Sequence, residues 1–356
     1  FSHNKLILSI ILFCFIFSAF VYQDKQLAMW TGFIFAAYSA VANDSIQTLG
    51  TFIESNRQRP WYFLWLFSGL IFLAVSIYSF MEFNGDVSYQ RLTNPDGPTK
   101  YPHPESFSYL QVIAPLILLI LTRLRMPVST TFLLLSSFSV DVSGISSVFF
   151  KSLSGYVMAF ILSLVVWVVL YNWIRRHFSH RNAHPAWTIV QWCVSGSLWA
   201  TWLMQDAANI AVYLPRQMSI WQFLGYAGII FFGLGIIYYL KGDRIQGIVS
   251  EKSRIADVRA ATLVDLTFVI LLIYKLFIST VPMSTTWVFL GVIGGREIAI
   301  NWARRKAGSE HKKQAVSLVW KDMLYALIGL VISIILAMGV NPKIRDEFFQ
   351  ALIFWQ

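Results

Sequence analysis

The chain has 356 residues, of which 56% are apolar and only 13% charged, with a mean hydropathy of +0.59, whereas a soluble domain carries about 25% charged residues. Its formal net charge of +10 would suit a nucleic-acid partner, but the Lys and Arg residues sit mostly on alternate connectors between apolar runs, as in membrane proteins. A soluble fold and a nucleic-acid partner are both excluded on this reading.

The apolar runs are predicted at residues 6–22, 28–55, 61–83, 108–122, 127–148, 154–174, 187–213, 220–240, 262–279, 283–300 and 317–340. Most have the roughly 17–25 residues needed to cross ~30 Å of hydrocarbon. The expectation is therefore an all-α polytopic membrane protein with about eleven apolar spans. The first run follows Lys5 and lacks a small-x-small cleavage site, so it reads as a retained span and not a signal peptide. Runs 28–55 and 187–213 are too long for a straight crossing and carry polar residues, which predicts tilted or interrupted helices.

With a cytoplasmic N-terminus, the inner connectors hold Arg57 and Arg59; Arg123 and Arg125; Arg175, Arg176 and Arg181; Lys241, Arg244, Lys252, Arg254 and Arg259; and Arg304, Arg305, Lys306, Lys312 and Lys313. The outer side keeps Lys25, Arg91, Lys100, Lys151, Arg216, Lys343 and Arg345. This bias predicts N-terminus in and C-terminus out, in a membrane of the bacterial inner (plasma) type. The loop from Asn84 to Ser106 reads as irregular, and the stretch from Lys241 to Ala261 as a candidate surface helix. Cys14 and Cys193 lie within apolar runs, a pattern for packing and not for a disulfide or metal framework.

Two motifs occur twice, in the same order. Asn43-Asp44-Ser45-Ile46-Gln47 precedes Met126-Pro127-Val128-Ser129-Thr130-Thr131; Gln205-Asp206-Ala207-Ala208-Asn209 precedes Val281-Pro282-Met283-Ser284-Thr285-Thr286. The acidic motifs are offset by 162 residues and the proline motifs by 155. Each unit contains five apolar runs, an odd number, so the second must enter the membrane from the opposite side. The charge bias gives the same answer independently. The expected architecture is an extra N-terminal span and connector (1–27), a first inverted repeat (28–177), a second (178–342) and a C-terminal tail (343–356).

A carboxylate in an apolar span costs about 2.5–3.5 kcal/mol on insertion scales and normally faces a partner or a wet cavity. Helical spacing sets Asp44 beside Gln47 and Thr48, and Asp206 beside Asn209. Carboxylate, amide and hydroxyl oxygens are ligands for a hard cation such as sodium, though the same groups also glue helices together. The proline motifs read as helix starts within the membrane, where Ser and Thr cap free N–H groups and the helix end favours an anion. An ordinary helix start at the membrane surface is the plainer alternative. Asp141, Arg296 and Glu297 are candidates for an ion pair or gate, while Gly291, Gly294 and Gly295 suit close helix packing. His177, His180 and His184 show no metal-ligand spacing.

At these motifs the chain resembles the inorganic phosphate transporter (PiT) family, which repeats Gly-Ala-Asn-Asp-x-x-Asn and Pro-x-Ser-Thr-Thr-His once per inverted half. The resemblance spans roughly residues 28 to 340. It implies two re-entrant hairpins with Ser-Thr-Thr at their tips, sodium around the acidic motifs and an oxyanion between them. Phe132 and Trp287 stand where that family has histidine, and Gln47 and Gln205 where it has asparagine.

The expected function is therefore sodium-coupled symport of an inorganic oxyanion, phosphate first and sulfate next, by alternating access and without enzymatic activity. Asp44, Gln47, Asp206 and Asn209 would hold sodium. Ser129, Thr130, Thr131, Ser284, Thr285, Thr286, Asn43 and Gln205 would face the substrate. The partners are the anion, sodium or a proton, and the lipid bilayer; homo-oligomers are left open, and no cofactor beyond the coupling ion is expected. Rival readings are an intramembrane aspartyl enzyme using Asp44 and Asp206, which lacks the usual Gly-x-Gly-Asp motif, and a non-transporting sensor or partner subunit with a transporter fold.

Overall fold

The computed structural model describes residues 2–56, 58–93, 101–124, 126, 128–178, 183–239, 258–278, 281–303 and 309–353, and among them all regular structure is helical. The helices are α1 (Ser2–Val21), α2 (Lys25–Ser55), α3 (Trp61–Glu82), α4 (Tyr109–Arg123), α5 (Val142–Phe178), α6 (Ala186–Ala211), α7 (Ile220–Tyr239), α8 (Val258–Ile278), α9 (Thr285–Ala303), α10 (Ser309–Val340) and α11 (Pro342–Ile353). A π-helical turn, Thr131–Leu135, and a 3-10 turn, Ser136–Phe138, lie between α4 and α5. The candidate surface helix predicted near 241–261 falls largely outside the described residues.

Five of these segments are long and apolar enough to cross a membrane: Trp61–Glu82, Val142–Leu170, Ile220–Tyr239, Val258–Ile278 and Val319–Val340. Shorter apolar helices, Leu8–Val21 and Tyr109–Arg123, accompany them. Their outward faces carry large apolar side chains, with Trp221 79% and Phe277 84% exposed. Such faces are a liability in water and are solvated by lipid. The molecule is an integral membrane protein by this criterion.

Helix starts follow local chemistry. Asp24 accepts from Leu27 N at 2.8 Å to cap α2, and Ser108 and Gln111 form a reciprocal capping box on α4. Pro115 within α4 has no N–H to donate to Gln111, and the freed carbonyl accepts instead from Tyr213 Oη at 2.7 Å.

The fifth and sixth predicted runs divide differently in the structure. Residues 128–138 form a short, irregular segment, and 142–148 belong with 154–174 in the single 37-residue helix α5. The break falls at Asp141, whose Oδ1 accepts from Ser143 Oγ at 2.7 Å and Gly144 N at 3.0 Å and so caps α5. These bonds, the Ser143 hydroxyl first, hold the Asp141 carboxyl below the usual carboxylate range. Lys151 and Ser152, which read as a connector, are instead interior positions of α5 that bond neighbouring segments, as does Ser154 at the start of the sixth predicted run.

Gln111 Nε2, near the start of α4, donates to Ser137 O at 3.0 Å. The start of α4 and the end of the segment that follows it therefore lie side by side, as in a hairpin. The α8–α9 segment also packs α8 against α9. α9 then runs parallel to α5: a Cβ added at Gly291 or Gly295 would strike the Tyr156 or Phe160 carbonyl, respectively. These glycines, four residues apart, permit the close helix approach predicted for them. α10 packs in turn against the π-helical turn after α4.

Candidate functional site

The two acidic motifs stand on α2 and α6, and Asp44 and Asp206 are 0% and 1% exposed. Each is met by a hydroxyl from a proline-motif tip. Thr130 Oγ1 donates to Asp44 Oδ2 at 2.7 Å, and Thr285 Oγ1 donates to Asp206 Oδ2. Thr130 and Thr285 occupy matching positions of the two motifs, so the same bond forms twice.

The tips also reach across to one another. Thr131 Oγ1 lies 3.3 Å from Met283 O, and Thr286 Oγ1 lies 3.5 Å from Val128 O. Val128 and Met283 are 155 residues apart, as are Thr131 and Thr286, which makes these contacts reciprocal. Packing repeats the exchange. A Cβ on Gly155 of α5 would meet Met283 Sδ at 2.9 Å, and one on Gly329 of α10 would meet Val128 Cγ1 at 3.1 Å. Each tip thus rests on a glycine of the long helix that closes the other half.

Further bonds tie the cluster together. Thr131 Oγ1 is also 3.3 Å from Asp206 Oδ1. Asn209 Nδ2 reaches Thr130 Oγ1 (3.3 Å), Thr131 Oγ1 (3.1 Å) and Asp206 Oδ1 (2.9 Å). Asn43 Nδ2 donates to Asp44 Oδ1 (2.8 Å) and Val128 O (3.1 Å), and Trp202 Nε1 donates to Thr285 Oγ1 (3.2 Å). Ser129 Oγ accepts from Phe132 N at 3.1 Å and Ser284 Oγ from Trp287 N at 3.3 Å. The two serines are thereby matching N-caps, three residues ahead of the N–H they satisfy.

Ten of the twelve predicted site residues make these contacts. Gln47 is only partly buried and makes none of them. Gln205 stands at the edge: its Nε2 donates to Leu272 O of α8 at 3.0 Å. That bond fixes the amide orientation and leaves Oε1 buried with no hydrogen-bond partner among the described residues, and Asn209 Oδ1 is in the same position. Gln205 and Asn209 are one helical turn apart on α6, flanking Asp206. Two unsatisfied acceptor oxygens beside a carboxylate are the donor set a hard cation takes.

Of Asp141, Arg296 and Glu297, the last two form the expected ion pair and Asp141 stands apart from them. Arg296 pairs with its neighbour Glu297 at 2.7 Å and lies over the Trp167 ring at 5.0 Å, while Asp141 caps α5. Phe132 and Trp287, which follow the two Ser-Thr-Thr tips, pack together with ring centroids 5.3 Å apart. Of the three histidines, His177 and His180 lie outside what is described at side-chain level; among the described residues no group of three His, Cys, Asp or Glu side chains converges on a metal site.

Sequence reasoning missed Asp265 of α8. It is 2% exposed and accepts from Thr51 Oγ1 of α2 and Ser195 Oγ of α6, both at 2.6 Å. A single carboxylate in the apolar run 262–279 was the available signal. Comparison with protein-family models, with curated proteins and with solved structures gives no match at a significant level.

Proposed function

We propose that the chain is a secondary transporter for a small inorganic oxyanion, phosphate first and sulfate next, driven by sodium and built from two inverted repeats as in the PiT family. The observation that carries this reading is the reciprocal tip contact, Thr131 to Met283 O and Thr286 to Val128 O, with the repeated Thr130–Asp44 and Thr285–Asp206 bonds around it. Equivalent residues making equivalent bonds across a centre is what a pseudo-two-fold axis in the membrane plane produces. Counted with two dipping hairpins, the eleven apolar runs become seven crossings, and each repeat keeps an odd number. The N-terminus then lies in the cytoplasm and the C-terminus outside, in a bacterial inner membrane.

The mechanism follows from competition for hydroxyl protons. A threonine hydroxyl has one proton to donate, and Thr130 and Thr285 direct theirs at carboxylates. Sodium held by Asp44 and by Asp206 with Asn209 and Gln205 oxygens would satisfy those carboxylates instead. The hydroxyls, with the N–H groups of the two helix starts, would then be free to bind an oxyanion. Cation binding thus prepares the anion site, which is coupling. Because Asp44 and Asp206 are enclosed, exchange with either side requires the tips to separate, and rocking of one repeat against the other supplies alternating access.

The test is uptake into proteoliposomes of phosphate, sulfate and bicarbonate, with and without an inward sodium gradient. Gradient-driven accumulation of phosphate, or of sulfate, is expected. Equal, gradient-independent uptake of all three at the level of empty liposomes would remove the proposal.

A further inference from the structure

The Thr285 hydroxyl, which donates to Asp206, also accepts a bond from an indole: Trp202 Nε1 of α6 donates to Thr285 Oγ1 at 3.2 Å. Trp202 stands one turn before Asp206 on the same helix, so two adjacent turns of α6 grip one hydroxyl of the second tip. An indole N–H can only donate. It therefore fixes the role of the hydroxyl it meets: a lone pair of the Thr285 oxygen is taken up, and the single proton is left for an acceptor. The matching hydroxyl of the first tip, Thr130 Oγ1, is met by Asn209 Nδ2 at 3.3 Å, and that amide is shared with Thr131 and Asp206. Trp202 Nε1 has Thr285 as its one partner among the described residues.

The indole has little freedom to turn away. Its ring stacks on that of Trp199, with centroids 4.8 Å apart and planes 6° from parallel, and Trp199 Nε1 donates to Ser68 O of α3 at 2.9 Å. Both tryptophans are 1% exposed. The positions 162 residues earlier are Ala37 and Ala40, buried as well but with no polar atom in their side chains. The stacked pair thus belongs to one half only, and the two tips are held differently.

We infer that Trp202 is a positioning residue for the second tip: by occupying the Thr285 oxygen it keeps that hydroxyl a donor, towards Asp206 without sodium and towards the oxyanion once sodium holds Asp206. The inference rests on the transporter reading and deepens it. Hydrogen bonds in series strengthen one another. Before sodium binds, the indole reinforces the Thr285–Asp206 bond that sodium must displace, so it opposes the cation. Afterwards it reinforces the bond from Thr285 to the anion. One side chain pulls the two affinities in opposite directions, which a packing role does not do.

The experiment is equilibrium binding to the purified full chain of radiolabelled sodium without anion, and of radiolabelled phosphate and sulfate at saturating sodium. Wild type is compared with Trp202→Phe and with Trp202 replaced by its benzothienyl isostere, which keeps the bicyclic shape and lacks only the N–H. The isostere keeps the test standing where the smaller ring disturbs folding. The expected result, in the isostere and in folded Trp202→Phe, is sodium affinity raised threefold or more and anion affinity lowered fivefold or more. Affinities that are both unchanged, or both weakened, in the isostere would overturn this inference alone and leave Trp202 as packing. Failure of wild type to bind either anion would overturn the transporter reading with it.

Discussion

Asp44 and Asp206, 162 residues apart in the chain, are held by adjacent hydroxyls: Thr130 donates to the first at 2.7 Å and Thr131 lies 3.3 Å from the second. One short peptide segment thus senses the charge of both carboxylates. Neutralising either changes what its hydroxyls bond to. Asp44→Asn and Asp206→Asn keep the shape and remove the charge, so each is expected to lower sodium-driven anion uptake at least tenfold while the protein still inserts and folds. Parallel measurement of uptake and of size-exclusion behaviour in detergent checks this.

Asp265 ties α2, α6 and α8 through two 2.6 Å bonds. Asp265→Ala leaves the Thr51 and Ser195 hydroxyls buried without an acceptor, at about 1–3 kcal/mol for an unsatisfied buried group. A lowered unfolding temperature in detergent is expected, with part of the loss recovered in Asp265→Asn, whose amide oxygen still accepts one of the two.

Gly295 lets α9 approach the α5 backbone at Phe160, and Gly291 does the same at Tyr156. Because the obstacle is a carbonyl and not the end of a flexible side chain, the helices themselves must separate. Gly295→Leu should destabilise by about 1–3 kcal/mol or more, the usual range for overpacking, whereas Gly233, with open space around its added Cβ, should accept Ala without loss. Thermal unfolding of the two variants side by side makes the comparison.

His103, in the loop before α4, has its pKa pulled from 6.5 to about 4 by burial and by the charges of Arg216 and Lys25. The folded protein therefore keeps it neutral where the unfolded chain would take up a proton. Stability from this group is complete above pH 6.5 and declines as pH falls towards 4. Unfolding temperatures at pH 7 and pH 5 should differ more in wild type than in His103→Gln.

The pairing of acidic helices with proline-led tips was legible because both motifs recur in order at near-equal offsets. The partners within the pairing were less so. Gln47 and Asn209 stand at the same spacing from their aspartates, yet only Asn209 joins the cluster. Asp44 takes its amide bond from Asn43, whose side chain is also drawn to Val128 O, a tertiary neighbour that helical spacing cannot reveal. The unity of α5 was hidden for a related reason. Lys151 and Ser152 look like a connector until the second tip supplies the groups they bond. Asp265 had no repeated counterpart to distinguish it from a helix-packing residue.

The shared-hydroxyl account makes one thermodynamic demand: sodium and the anion must strengthen each other's binding by the same factor. Titrating phosphate into the purified protein at several sodium concentrations, with potassium or choline keeping ionic strength constant, measures that factor directly. The account predicts that phosphate affinity rises as sodium rises, by fivefold or more, and that the rise disappears in Asp206→Asn. A phosphate affinity that is the same with sodium and without it would contradict the account.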